Sequence, residues 1–174
     1  MEKRASRRSF LRTSATAGAG LIVSTALGAE KPAPSDKLNI AIVGVGGRGG
    51  SNTGGVTSQN IVALCDVSDS NLAKAAKRFP KASKHTDWRK LLDEKNIDAV
   101  VCSTTDHTHA LVSNGAMRRG MHVYCEKPLA HSVHEARAIQ DTYKAGKVKT
   151  QMGTQIHATA NYRRVVELIQ GGAI

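Results

Sequence analysis

The chain has 174 residues, a net charge of +11, 40% hydrophobic content and 3% aromatics. Residues 1–30 hold Lys3, Arg4, Arg7, Arg8 and Arg12 against Glu2 and Glu30, a net of +3, which leaves +8 spread in pieces such as Lys74/Lys77/Arg78, Arg118/Arg119 and Arg163/Arg164. With so few aromatics there is no stacking platform for bases; the charge speaks for solvated helix faces and against a nucleic-acid binder.

The first segment in chain order, Ser6-Arg7-Arg8-Ser9-Phe10-Leu11-Arg12, is followed by a moderately apolar run from Ala15 to Leu27. That run is too short to span a bilayer, which takes about 20 apolar residues. Small residues at Ala26, Gly28 and Ala29 offer a cleavage point. The order resembles a twin-arginine export signal, with Arg12 where a lysine is more usual. It implies a signal peptide over 1–29, a translocase as partner during export, and a periplasmic destination without a membrane anchor. A basic disordered leader is the alternative. Residues 30–36, containing Pro32 and Pro34, read as a linker.

The apolar run Leu38–Val43 breaks into Gly44-Val45-Gly46-Gly47-Arg48-Gly49, and a second apolar run, Ile61–Cys65, ends on Asp66. Strand, glycine turn, connection, strand and acid form the context that a dinucleotide-binding fingerprint requires. Gly44 permits the tight turn, Gly46 lets the backbone approach a pyrophosphate, and Gly49 lets the next helix sit against the sheet. Gly47 and Arg48 complete the loop whose amides face the negative charge. Asp66 is placed to accept from the adenine ribose hydroxyls, and its charge favours NAD over NADP; Arg48 and nearby lysines keep NADP open. The segment from Gly50 to Asn60 carries Gly54 and Gly55, so a short or irregular helix is expected.

Strands and helices then alternate at the cadence of a parallel α/β sheet. A helix over Asn71–Phe79 stops at Pro80; Asp87 caps another through Trp88, Leu91 and Leu92, with Trp88 in the core. Ala99–Cys102 is a buried strand, and a helix from His107 to Arg119 ends at Gly120. His122–Cys125 is the next strand. Ser132 and Glu135 form a capping box for a helix with the stripe Val133, Ala136, Ile139 and Tyr143, stopped by Gly146. Val148–Met152 reads as one more strand, and Tyr162, Val165, Val166 and Ile169 share one face of a last helix. The expected fold is a doubly wound parallel sheet, a Rossmann dinucleotide-binding domain over 37–157, with a connecting helix and the start of a second domain over 158–174.

Glu126-Lys127-Pro128 follows the strand ending at Cys125, on the sheet edge where ligands of such folds sit. Lys127 there suits donation to a substrate oxygen as a catalytic group, with Glu126 fixing the lysine or the nicotinamide ribose; a surface ion pair before a turn is the alternative. Cys65, Cys102 and Cys125 fall in apolar runs, which suggests buried small hydrophobes rather than disulfides. His107/His109 lie on different sides of a helix. His131/His134 lack an evident third ligand, so no metal is expected.

Together the glycine turn, Ala63-Leu64-Cys65-Asp66, His109 after the Ala99–Ser103 strand, Glu126-Lys127-Pro128 and Gln151-Met152-Gly153 resemble the N-terminal half of the Gfo/Idh/MocA oxidoreductases over about 37–174. The resemblance implies a dinucleotide site at Gly44, Gly46, Gly49 and Asp66, with Thr104 and His109 near the cofactor. It also implies Glu126 on the ribose side and Lys127 as the active-site lysine. Thr104-Thr105 stands where the family often has Thr-Pro. The family's second α/β domain, which completes the substrate pocket and pairs subunits into homo-oligomers, has no counterpart here, so the chain reads as an inactive N-terminal piece. The implied activity is NAD(P)-dependent hydride transfer to or from a sugar, cyclitol or related polyol. An NAD-dependent glycoside hydrolase, a branch in which the Glu-Lys-Pro triplet is altered, and a non-catalytic nucleotide-binding module are the other readings.

Overall fold

A computed structural model describes residues 37–173; the twin-arginine-like leader and the linker lie outside the described residues. Six parallel strands, β1 (Asn39–Val43), β2 (Asn60–Cys65), β3 (Ser83–His85), β4 (Ala99–Cys102), β5 (His122–Glu126) and β6 (Thr150–Gly153), form one sheet in the order β3-β2-β1-β4-β5-β6. This is the strand order of the dinucleotide-binding α/β fold, with its reversal point between β1 and β4.

The central strands are apolar without alternation because both faces are covered. Along β1, Ala41 and Val43 pack on one side with Cys65, Leu91, Val100 and Val112, while Ile40 and Ile42 pack on the other with Leu64, Leu72 and Val101. Each large side chain so buried stabilises the fold by about 1.5–3 kcal/mol. The register of β1 against β2 shifts between Ile40 and Ala41.

Helix α1 (Arg48–Gly55) is two turns long, as Gly54 and Gly55 demand. α2 (Asp69–Arg78) starts where the Ser68 hydroxyl accepts from the Asn71 amide at 3.4 Å, and it stops before Pro80. Asp87 caps α3 (Trp88–Leu92) by accepting from the Arg89 amide at 2.9 Å. Trp88 is half-buried against the core. α4 (Asp106–Arg118) is followed by Gly120 at φ +81°, a left-handed turn that glycine tolerates without strain. α5 (Val133–Ala145) precedes β6, and α6 (Ala160–Gln170) ends the described chain.

Two local expectations on α5 are corrected, and one strand was not expected. β3 escapes pattern reading because it is three residues with no apolar stripe; the Glu94 carboxylate, accepting from Ser83 Oγ at 2.5 Å and lying 2.7 Å from His85 Nε2, holds it. The capping box on α5 is half made: Ser132 Oγ accepts from the Glu135 amide, but Glu135 turns to the His131 amide (3.1 Å) and ring (2.6 Å). The α5 stripe is also narrower than its spacing suggests, since only Ile139 is buried while Val133 and Tyr143 are exposed. Along α6, no residue is buried, so Tyr162, Val165, Val166 and Ile169 form an apolar face open among the described residues.

Neighbouring glycines of α1 carry opposite expectations. A Cβ on Gly49 would strike the Gly44 carbonyl, which is backbone and cannot yield, whereas one on Gly50 meets only Val45 O at 3.5 Å. Gly49→Ala is expected to lower unfolding stability by about 1–3 kcal/mol, and Gly50→Ala to leave it equal or raise it by up to about 1 kcal/mol. Urea denaturation midpoints of the two variants check this.

Candidate dinucleotide and active site

The register levels the sheet's carboxyl ends. Val43 pairs with Cys65 on one side and Cys102 on the other, and Cys102 pairs with Cys125. The next residue of each strand or its exit, Asp66, Gly44, Ser103 and Glu126, therefore lies along one rim. Sequence reasoning placed these residues separately; the parallel register brings them together.

Gly44 turns at φ +85°, and a Cβ there would lie 2.5 Å from the Ser103 carbonyl oxygen. Only glycine lets β1 leave the sheet so close to the β4 loop. The chain then closes on itself, the Gly49 amide donating to Gly46 O at 2.8 Å and the Gly50 amide to Gly47 O at 3.1 Å. Asp66 Oδ2 accepts from the amides of Val45 (2.9 Å) and Gly46 (3.2 Å), and Oδ1 from Ser68 (2.8 Å). Two of the loop amides are thus taken by the acid itself. The amides of Gly47 and Arg48 have no protein acceptor among the described residues, and they open the N-terminus of α1. A cleft of about 300 Å³ opens between the glycine loop and the β4 exit, its walls including Gly44, Gly46, Asp66, Asn71, Thr104 and Thr108.

Glu126 is 4% exposed, and its Oε1 accepts from Arg48 Nε at 2.9 Å and Asn52 Nδ2 at 3.1 Å. Burial works to raise its pKa; the hydrogen bonds from Arg48, Asn52 and the Lys127 amide outweigh it and hold the carboxyl below its usual range. The same bond raises the pKa of the Arg48 guanidinium. The structure therefore places Arg48 across the rim on Glu126, away from Asp66. Asn52, which sequence reading passed over, joins Glu126 to Ser103 Oγ, donating to the latter at 2.8 Å. Gly153, read from the sequence only as part of the Gln151-Met152-Gly153 resemblance, packs against the same carboxylate: a Cβ there would lie 2.9 Å from Glu126 Oε1 and 2.5 Å from the Tyr124 hydroxyl. Asparagine and glycine in a helix and a strand carry no signal of their own without knowledge of what lies opposite.

Lys127 is exposed beyond β5, joined to Pro128 by a cis peptide bond, and forms no ion pair among the described residues. His109, expected beside the cofactor, is instead buried beneath the rim, its ring between the carbonyls of Thr104 and Pro128. Thr104 presents its carbonyl to that ring while lining the cleft.

A glycine loop with two open amides at a helix N-terminus, a level rim of strand ends and an acid at the second strand define an α/β fold of the dinucleotide-binding class. The family model described as "Oxidoreductase family, NAD-binding Rossmann fold" matches residues 38–154, and the chain belongs to this Gfo/Idh/MocA family. It is 37% identical over 93 residues, 53% of its length, to a levoglucosan dehydrogenase of Pseudarthrobacter phenanthrenivorans, covering 22% of that protein. It is 31% identical over 80% of its length to a glycosyl hydrolase family 109 protein of Solibacter usitatus, covering 36% of it. Its fold matches a scyllo-inositol dehydrogenase of Lactobacillus casei, solved with NAD(H) and scyllo-inositol, at a TM-score of 0.70 and 23% identity, over 79% of this chain and 42% of that one. The chain thus spans less than half the length of these relatives.

Glu126 contributes stability above its unfolded pKa, and that contribution is lost as pH falls through its lowered folded value. In Arg48→Met, burial acts with less opposition and the folded pKa rises. Carbon-detected NMR titration of the Glu126 carboxyl is expected to give a higher midpoint, with acid unfolding beginning at a higher pH than in the unaltered chain.

Proposed function

We propose that this chain is the cofactor-binding part of an NAD-dependent oxidoreductase acting on a sugar, cyclitol or related polyol, exported with its cofactor by a twin-arginine leader. The observation that carries the reading is the rim itself, which sets Gly44, Asp66 and Glu126 level across the strands that flank the reversal point. The fit to a dinucleotide rests on chain features. Two amides at the start of α1 are open, and the loop leaves no room for side chains where it nears Ser103. Asp66 carries negative charge beside the cleft, which disfavours a 2′-phosphate and so favours NAD.

A bound nicotinamide would supply the acceptance and donation of hydride. This chain's residues would do the rest. Gly47 and Arg48 would hold phosphate through their amides, and Asp66 would hold ribose hydroxyls. Lys127, exposed beyond β5 and in no ion pair among the described residues, would donate to the substrate oxygen and exchange its proton as the hydroxyl forms or ionises. Glu126, kept ionised by Arg48 and Asn52, would fix the ribose on the nicotinamide side. Periplasmic residence would require the cofactor to stay bound and to be regenerated by a second substrate.

The second reading, NAD-dependent glycoside hydrolysis on the same scaffold, is favoured by the similarity to the family 109 hydrolase over most of the chain. Glu126-Lys127-Pro128 weighs for the dehydrogenase.

In equilibrium dialysis, the chain is expected to bind NAD more tightly than NADP, and Asp66→Ala to weaken NAD binding at least about tenfold, the loss of a charge-assisted hydrogen-bond pair. In a protein of the relatives' full length, Lys127→Ala is expected to lower kcat on free polyols by about 10²–10⁴-fold with NAD binding intact. Turnover of aryl glycosides but not of polyols would reverse the choice between the two readings.

A further inference from the structure

Directly under the Glu126-Lys127-Pro128 turn lies a buried polar cluster that cofactor binding does not use. His109, at the start of α4, is 1% exposed; its Nδ1 lies 2.6 Å from the Pro128 carbonyl oxygen and its Nε2 3.1 Å from the Thr104 carbonyl oxygen. A carbonyl oxygen only accepts. A neutral imidazole has one N–H and one lone pair, so it would bond one carbonyl and set its lone pair against the other. Two such contacts at once ask for two N–H groups, and hence a cation.

A buried cation needs an anion within reach. The near carboxylates are committed elsewhere: Glu126 faces Arg48 and Asn52, and Asp106, although on the same helix, is exposed. Cys125 is the remaining group. Its sulfur, that of Cys102 and a ring nitrogen of His109 lie within 4.8 Å of one another, all three side chains being buried. Cys102 and Cys125 are register partners on β4 and β5, so both sulfurs emerge on the same face of the sheet.

Ser113 stands one turn along α4 from His109, is 1% exposed, and its hydroxyl has no hydrogen-bond partner among the described residues. A neutral thiol is a poor acceptor, whereas a thiolate at Cys125 is the anion the buried cation needs. One charge assignment accounts for the doubled carbonyl contact and the paired sulfurs.

We propose that Cys125 is a thiolate paired with an imidazolium at His109, and that this buried ion pair ties the loop after β4 to the turn after β5, making His109 a positioning residue for Lys127. The ionisable groups of every facing element agree. From β4, the neighbouring Cys102 thiol, against desolvation, lowers the pKa of Cys125, with His109 and Ser113 from α4 adding to the effect. The Cys102 thiol itself is pushed well above its usual value by Cys125. His109 is raised to about 9, first by Cys125, with burial opposing and the Pro128 and Thr104 carbonyls reinforcing. A metal ion would need the imidazole to surrender one of its two carbonyl bonds, so a proton fits this geometry better.

The ion pair does not depend on the oxidoreductase reading; its consequence for Lys127 rests on that reading. The test uses the 174-residue chain, with long-range proton–nitrogen NMR of the imidazoles and ultraviolet absorbance of the thiolate followed against pH. Both ring nitrogens of His109 are expected to be protonated at neutral pH and to titrate near 9, with one thiolate present throughout the neutral range. The Lys127 amide resonance is expected to move with the same midpoint. Cys125→Ser should abolish the thiolate signal and leave His109 with one ring proton at neutral pH, while Cys65→Ser changes neither. A single protonated nitrogen at neutral pH, a stoichiometric bound metal, or a Cys102–Cys125 disulfide would overturn the pair. A Lys127 resonance indifferent to the His109 titration would overturn the positioning role. NAD dialysis on the same samples separates the two readings: an intact pair in a chain without NAD affinity sinks the oxidoreductase alone, and NAD affinity with a neutral His109 sinks the pair alone.

Discussion

Register is the constraint on which the rest of this molecule depends. Because β2, β1, β4 and β5 run parallel with Cys65, Val43, Cys102 and Cys125 abreast, the residues that follow them leave the sheet at the same height. Asp66, Gly44, Ser103 and Glu126 follow that row directly, and Lys127 comes one residue later. Side chains of the row itself point into the core face, and those of the next residue point away from it, as strand geometry requires. A slip of one residue in a single strand would exchange the two sets, sending a carboxylate into the core and a cysteine out of it.

Two layers result from this alternation. Above lies the rim, where Gly44 and Gly49 allow backbones to meet without side chains between them and Asp66 gathers the amides of Val45, Gly46 and Ser68. Glu126 is tied across the rim by Arg48 and Asn52, which links α1 to β5 and joins the glycine loop to the lysine-bearing turn. Below lies the Cys102–His109–Cys125 cluster, whose histidine reaches up to the carbonyls of both loops. The lysine-bearing turn is therefore held from two sides, by a carboxylate hydrogen-bonded to α1 and by an imidazole rooted in α4. The Lys127 side chain itself is exposed and in no ion pair among the described residues.

Much of the fold was legible because its signals are local. Apolar runs ending at Gly44 and at Asp66 mark β1 and β2, Pro80 marks the stop of α2, Asp87 the start of α3, and a trailing glycine the end of α4. Failures follow the same rule. β3 is polar and short, so only its pairing with β2 makes it a strand. Glu135 had two local amides to choose from, and the proximity of the His131 ring decided between them. The apolar faces of α5 and α6 have helical spacing, but spacing does not say whether anything lies against them.

The amino-acid order by itself determined the strand–glycine–helix unit, the acid at the second strand, the lysine after the fifth, and with them the family, because each is written within a few neighbouring residues. Only the tertiary structure decided the partners: Arg48 with Glu126, Asn52 with Ser103, and His109 with two carbonyls and two sulfurs. Those pairings join residues far apart in sequence, from 52 to 103 or 48 to 126, and depend on strand order and helix placement. Periodicity and local propensity carry no record of such distances, so the charge state of a buried histidine becomes readable only when the groups around it are in place.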